Sequence, residues 1–200
     1  MARSRKLDSE TALRAAGLAF MECGYAGMST RDLEERSGIT RFTLQTTYGG
    51  KKALFLMTLD HYLDELLPWI SASMDGRGIA GIAAFFHMRA DDEQMPAQGR
   101  FGCLMVNALT EFGATDPDIA ARSERYFDTL RTAFTLALTE SQDTGALPKS
   151  VDVAGVAEGL LASILGLNTF IRTSGTNGAG AQMAAGIAES LLRLQTPDPE

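Results

Sequence analysis

The chain has 200 residues, 45% of them hydrophobic and 22% charged, with two cysteines and a formal net charge of −7. A chain of this length buries a sizeable core without staples, and this composition excludes bulk disorder, collagen and a disulfide scaffold. Cys23 and Cys103 have no metal-like spacing and read as reduced thiols, and no apolar stretch follows the basic start, so a cytoplasmic protein without a signal peptide is expected.

The elements are predicted in chain order from apolar periodicity and stop signals. Ala12, Leu13, Ala16, Ala19 and Phe20 repeat with helical spacing over 8–23, and Gly24 follows as a left-handed stop. Ser29 and Asp32 form a capping pair that opens a short helix ending at Gly38. Thr40 opens a third helix, and Gly49-Gly50 closes it. A long helix starts at Lys51 and runs through Phe55, Leu59, Leu63 and Leu66 until Pro68 kinks or ends it. A fifth helix carries Ile82, Phe85 and Phe86, and polar 91–99 is a loop. A short helix covers 101–112. Asp116-Pro117 caps a helix reaching about Thr144. Asp152 opens an almost wholly apolar helix to about Arg172, a flexible loop covers 175–180, and the last helix spans 182–194. No segment alternates with period two. The expectation is an all-α chain of about nine helices, divided into a head at 1–50 and a larger helical body at 51–200.

Charge is distributed unevenly over that plan. Residues 1–52 carry nine Lys/Arg against six acids, while the remainder carries nine against nineteen. A basic end on an acidic body suits a protein that addresses phosphates with one end only. Within that end, residues 29–48 read STRDLEERSGITRFTLQTTY. Two short helices flank Ser37-Gly38-Ile39, and Leu33, Ile39 and Leu44 have the spacing to close a shared core. This is a helix-turn-helix pattern. It leaves Thr40, Arg41, Phe42, Thr43, Gln45 and Thr46 on the outer face of the second helix, where Arg can fork onto guanine, Gln onto adenine, and Thr or Phe can touch a thymine methyl. The bland alternative is a helical hairpin with a solvated face.

Over Ala12–Tyr62 the chain resembles the N-terminal domain of the tetracycline-repressor family of bacterial regulators. The resemblance rests on Ala15-Ala16-x-x-Ala19-Phe20, Gly24-Tyr25, Ser29-x-Arg31-Asp32-Leu33, Gly38-Ile39-Thr40, Thr43-Leu44 and Tyr48-Gly49-Gly50-Lys51-x-Ala53-Leu54-Phe55. It implies a homodimer with three-helix DNA-binding heads and a body that takes a small effector, acting as a repressor on a palindromic operator. It also implies a phosphate contact from Lys51. Tyr48 is half core with its hydroxyl available, and Ser29, Arg31 and the arm residues Arg3, Arg5 and Lys6 are backbone or groove contacts or a solvated terminus. Gln45, Tyr48, Glu34 and Phe42 depart from the family pattern. They point to a different operator, or to a ligand-binding dimer with impaired DNA binding. Activation and repression are not separable at this level.

In the body, Gly155, Gly159, Ala162 and Gly166 form a small-residue ridge which, with Met183, Ile187 and Leu191, builds a four-helix dimer face or packs within one subunit. The stretch 153–171 approaches bilayer-spanning length, but Glu158 and Asn168 interrupt it and no basic anchors flank it, so no membrane partner is expected. Phe85, Phe86, Phe101, Met105, Tyr126, Phe127 and Phe170 are candidates for an apolar effector pocket or plain core. Cys103, Asn107 and Glu111 share a stripe at four-residue spacing. Asn107 orients a ligand or makes a structural bond. Cys103 is a buried inert thiol, or a redox and electrophile sensor if a cation such as His87 or Arg100 lies close. Catalytic motifs are missing: there is no P-loop, no H-E-x-x-H and no nucleophile elbow. No catalytic residue, metal or cofactor is expected.

Overall fold

The computed structural model describes residues 9–195, and every element among them is helical. The head consists of α1 (Ser9–Cys23), α2 (Thr30–Ser37) and α3 (Arg41–Thr46). The connecting helix is α4 (Lys51–Met74). The body adds α5 (Gly78–Arg89), α6 (Leu104–Phe112), α7 (Pro117–Asp143), α8 (Val153–Ser174) and α9 (Ala181–Leu192), with short 3₁₀ turns at Ala97–Phe101, Gly113–Thr115 and Asn177–Gly180. The first half of α4 packs on α1, and its length carries it against α5, α6 and α7. Helix α5 lies on α7 and α9, and α7 on α8.

Local chemistry sets the head. Ser29 and Asp32 form a reciprocal capping box, which satisfies two backbone donors that a helix start leaves open. Gly38 ends α2 at φ +71°, a conformation in which a β-carbon collides with its own carbonyl. The Ser37 hydroxyl donates to Leu33 O at 2.6 Å and accepts from Ile39 N at 3.2 Å, fixing the turn. Leu33, Ile39 and Leu44 are buried, together with Met28, so the small core expected from their spacing is closed.

Three boundaries differ from the sequence expectation. Pro68 does not end α4, which continues to Met74. Its ring costs one backbone bond, and the apolar contacts of Ile70 and Met74, both buried, carry the helix past it. Helix α6 begins at Leu104 and not at 101, because Gly102 turns the chain at φ +83°. Phe101 therefore belongs to the preceding turn, and Cys103 caps the helix in extended conformation. The loop at 175–180 holds an ordered turn with Asn177 buried; Asp92 accepts from Asn177 N at 2.9 Å and from Gly178 N at 3.1 Å.

Asp116 shows how the head end of α4 is tied to the body. Its Oδ1 accepts from Asp118 N at 3.1 Å and its Oδ2 from Lys52 Nζ at 2.5 Å. The Lys52 hydrogen bond, with the helix-start N–H groups, holds the carboxyl below the usual carboxylate range. A folded-state value below the unfolded one stabilises the fold above about pH 4, and the benefit fades as pH falls through the folded value. Asp116→Asn should therefore unfold at a lower temperature than the parent at pH 7, with the gap closing toward pH 3. A gap independent of pH would contradict this account.

Candidate DNA-reading face and effector cavity

Helix α3 is capped by Thr40, whose Oγ1 accepts from Thr43 N at 3.1 Å. Leu44 points into the head core, which leaves Thr40, Arg41, Phe42, Gln45 and Thr46 exposed and Thr43 half-buried. Phe42 is 76% exposed, an unusual position for a phenyl ring on a soluble surface. Arg41 enters no ion pair among the described residues, whereas Arg31 is tied to Glu35 at 3.1 Å and Arg36 to Glu22 at 2.7 Å. The outer face of α3 thus presents one uncommitted cation, one amide, two hydroxyls and one ring. Ser29 is engaged in its capping box, and Tyr48 is half-buried against the core. The Lys51 ammonium sits 4.3 Å from the Tyr25 ring centroid, and partial burial pulls its pKa down. Gly50, φ +106°, precedes helix α4, whose first turn has no side-chain cap. Arg3, Arg5 and Lys6 lie outside the described residues.

The body holds a partly open cavity of about 360 Å³ between α4, α5, the 97–101 turn and α8. Of the candidate pocket residues, Phe85, Cys103 and Tyr126 line it. The others are placed elsewhere for identifiable reasons. Phe86 stacks on Phe134, and Met105 is fully buried core. Phe101 lies under the Arg100 guanidinium, and Phe127 near that of Arg131. Phe170 is exposed. Asn107 donates from Nδ2 to Phe101 O at 3.0 Å and to Met21 O at 3.4 Å, a structural bond between helices. The Glu111 carboxylate faces the head: it accepts from Tyr25 N at 2.7 Å and also from Ala26 N.

Sequence reasoning missed Tyr62, Trp69, Arg89 and Asn168, which also line the cavity. The Tyr62 hydroxyl donates to Cys103 Sγ at 3.3 Å. The cation that interacts electrostatically with this thiol is Arg89; His87 is exposed, and Arg100 is occupied with Phe101. Burial pushes the Tyr62 and Tyr126 hydroxyls well above the usual phenol range, so both stay protonated donors.

Cavity and head share a wall. Met21, in the last turn of α1, lines the cavity. Its carbonyl accepts from Arg172 Nη1 at 2.6 Å, and the same nitrogen donates to Phe101 O at 3.0 Å. The end of α1 is therefore held by side chains from α6 and α8 that also grip the 97–101 turn. Helices α8 and α9 leave an apolar groove lined by Gly159, Ala162, Gly166, Met183, Ile187 and Leu191. A Cβ added at Gly159, Gly166 or Gly186 would meet nothing within 4 Å. Gly155 lies outside the groove, against the Asp152 carboxylate. Helix α8 has the length and composition of a membrane span. It places Leu160, Leu161, Ile164, Leu167 and Ile171 in the core, and its Glu158 pairs with Arg131 at 2.5 Å. Among the described residues no three His, Cys, Asp or Glu side chains are grouped to hold a metal ion.

Comparison with known proteins agrees with this layout. Residues 78–187 match the profile of the tetracyclin repressor-like C-terminal domain. The chain is 31% identical over 174 residues to the uncharacterized HTH-type transcriptional regulator YezE of Bacillus subtilis, covering 86% of this chain and 89% of that one. It is 28% identical over 198 residues to the HTH-type transcriptional repressor ComR of Escherichia coli, covering 96% and 90%. The structure of the regulator CifR, a cysteine mutant complexed with 26-bp operator DNA, superposes with a TM-score of 0.74 at 23% identity over 98% of this chain and 100% of that one. The chain belongs to the tetracycline-repressor family. It is a transcriptional regulator of that family.

Proposed function

We propose that the protein is a cytoplasmic repressor that binds a palindromic operator as a homodimer and leaves it when a small molecule fills the body cavity. The observation that carries this reading is the outer face of α3, where Arg41, Phe42 and Gln45 are exposed and Arg41 enters no ion pair among the described residues. Side chains so placed reach base edges in the major groove, while Lys51 and the uncapped start of α4 suit phosphates. ComR is a repressor and CifR is seen on operator DNA, which supports the same role here.

The apolar α8–α9 groove supports dimerisation. Small residues on α8 let a second copy's helices approach closely, and burying Met183 and Ile187 removes apolar surface from water. A two-fold dimer sets two α3 helices against half-sites about 34–36 Å apart. A ligand lodged against the Tyr62–Ile70 stretch of α4 and the Met21 wall favours one head position, and linkage lowers operator affinity if that position mismatches the DNA. The head at 1–50 reads DNA, and the body at 51–200 dimerises and holds the effector.

The test is Arg41→Ala combined with Gln45→Ala, measured by fluorescence anisotropy at fixed salt on duplexes selected by the parent protein. With each base contact worth about 1–3 kcal/mol, specific affinity should fall about 30-fold or more, while circular dichroism and oligomeric state stay unchanged. Parent-like affinity in a folded double variant overturns the reading.

A further inference from the structure

Arg89 ends α5 but does not reach solvent; it is 7% exposed and lines the cavity. Its Nε donates to Asn168 Oδ1 at 2.8 Å, Nη1 to Asn177 Oδ1 at 3.0 Å and Nη2 to Gly99 O at 3.1 Å. All three acceptors are neutral. The groups that interact with its charge are Cys103, Tyr62 and Tyr126, and both phenols are held protonated by burial. No carboxylate pairs with Arg89 among the described residues, and it is the sole charged side chain lining the cavity. A positive charge is therefore buried without a carboxylate to balance it, an arrangement a protein interior strongly disfavours.

The guanidinium has five N–H donors, and three are committed. One N–H remains on each terminal nitrogen, and a guanidinium can give one donor from each to the two oxygens of a planar anion. Apolar side chains, among them Leu66, Trp69, Phe85, Met88 and Ile164, line much of the rest of the cavity, beside the uncharged polar groups of Tyr62, Tyr126, Gln94 and Gln98. We infer that the cavity takes a small monoanionic amphiphile, a carboxylate on an apolar body, with Arg89 as the anchor of the carboxylate. A single cation neutralises one negative charge, so a dianionic phosphate would leave its second charge buried and unmatched. The volume of about 360 Å³ lies at the low end of small-molecule sites, which sets the ligand's size. This inference rests on the cavity being the effector site of the reading above.

Trp69 is the only tryptophan of the chain and lies at this cavity, so its fluorescence reports occupancy without DNA. The full-length protein is titrated with 4-phenylbutyrate, hexanoate and octanoate, and in parallel with the amide and the primary amine of the same skeletons. At least one carboxylate should give a saturable change, with its amide at least tenfold weaker and its amine weaker still. Arg89→Gln, checked for fold by circular dichroism, should bring the carboxylate-to-amide ratio close to one. If that variant unfolds, Arg89→Lys, which keeps the charge and loses the fork, should lower the ratio. No saturable response to any carboxylate, amides binding as tightly as acids, or a folded Arg89 variant that keeps the parent ratio would overturn the inference. A carboxylate that binds but leaves operator affinity unchanged would count against the effector reading and not against the Arg89 site.

Discussion

Phe55→Ala should cost about 3–5 kcal/mol of unfolding free energy, the range for truncating a buried phenylalanine. Phe55 is 1% exposed on α4 and joins rings from three other parts of the chain. Its centroid lies 4.9 Å from Phe20 of α1, edge-on, 5.1 Å from Tyr25 in the following turn, and 5.7 Å from Phe112 of α6, stacked. Head, connector and body meet at this one side chain, so no single element can collapse into the space it leaves. Urea unfolding of the parent and the variant measures the loss. Phe127→Ala is the internal control: that ring is half-buried beside Tyr126 and Arg131, and its removal should cost clearly less. A Phe55→Ala loss under about 1 kcal/mol would show that head and body do not share this core.

Glu111→Ala should free the turn after α1 from the body. The carboxylate receives two backbone N–H groups, those of Tyr25 and Ala26, in the turn that leads from α1 into α2. Hydrogen bonds to a charged acceptor are worth about 1.5–3 kcal/mol each, and solvent replaces part of that at this half-open site, so a loss of about 2 kcal/mol is expected. The sharper readout is local. Amide exchange at Tyr25 and Ala26 should accelerate at least tenfold, while amides in α7 and α8 keep the protection of the parent. Unaltered exchange at both positions would mean that Glu111 does not restrain the turn. In a regulator whose ligand acts on the head through this wall, the variant should also bind operator with less sensitivity to the ligand.

The head was legible because its determinants are local. Ser29 and Asp32 are three residues apart, Gly38 marks its own turn, and Leu33, Ile39 and Leu44 fall within one short motif. The long helices were legible for the same reason: Asp116-Pro117 starts α7 and Asp152 opens α8. The cavity was not. Arg89 meets Asn168 and Asn177 across 79 and 88 residues of chain, and nothing near Arg89 in the sequence distinguishes it from a solvated basic residue at a helix end. Its neighbour His87, two residues away, is such a residue. Glu111 was grouped with Cys103 and Asn107 because four-residue spacing makes a stripe on an ideal helix. Gly102 starts α6 late, Cys103 stays outside it, and the far end of the stripe reaches the head instead of the cavity. The small-residue stretch of α8 was visible as composition, but only the placement of α9 shows which of its members face the open groove and that Gly155 does not.

Pro68 gives α4 a property that its continuous outline conceals. Proline has no amide hydrogen, so the ladder of bonds along the helix lacks the rung that would join residue 68 to Asp64 O. The missing rung falls between the part of α4 that carries Phe55 in the head junction and the part that carries Trp69 and Ile70 beside the cavity. A rod with one weak joint bends there before it bends anywhere else. Any change in direction between the two parts of α4 is therefore expected at this joint.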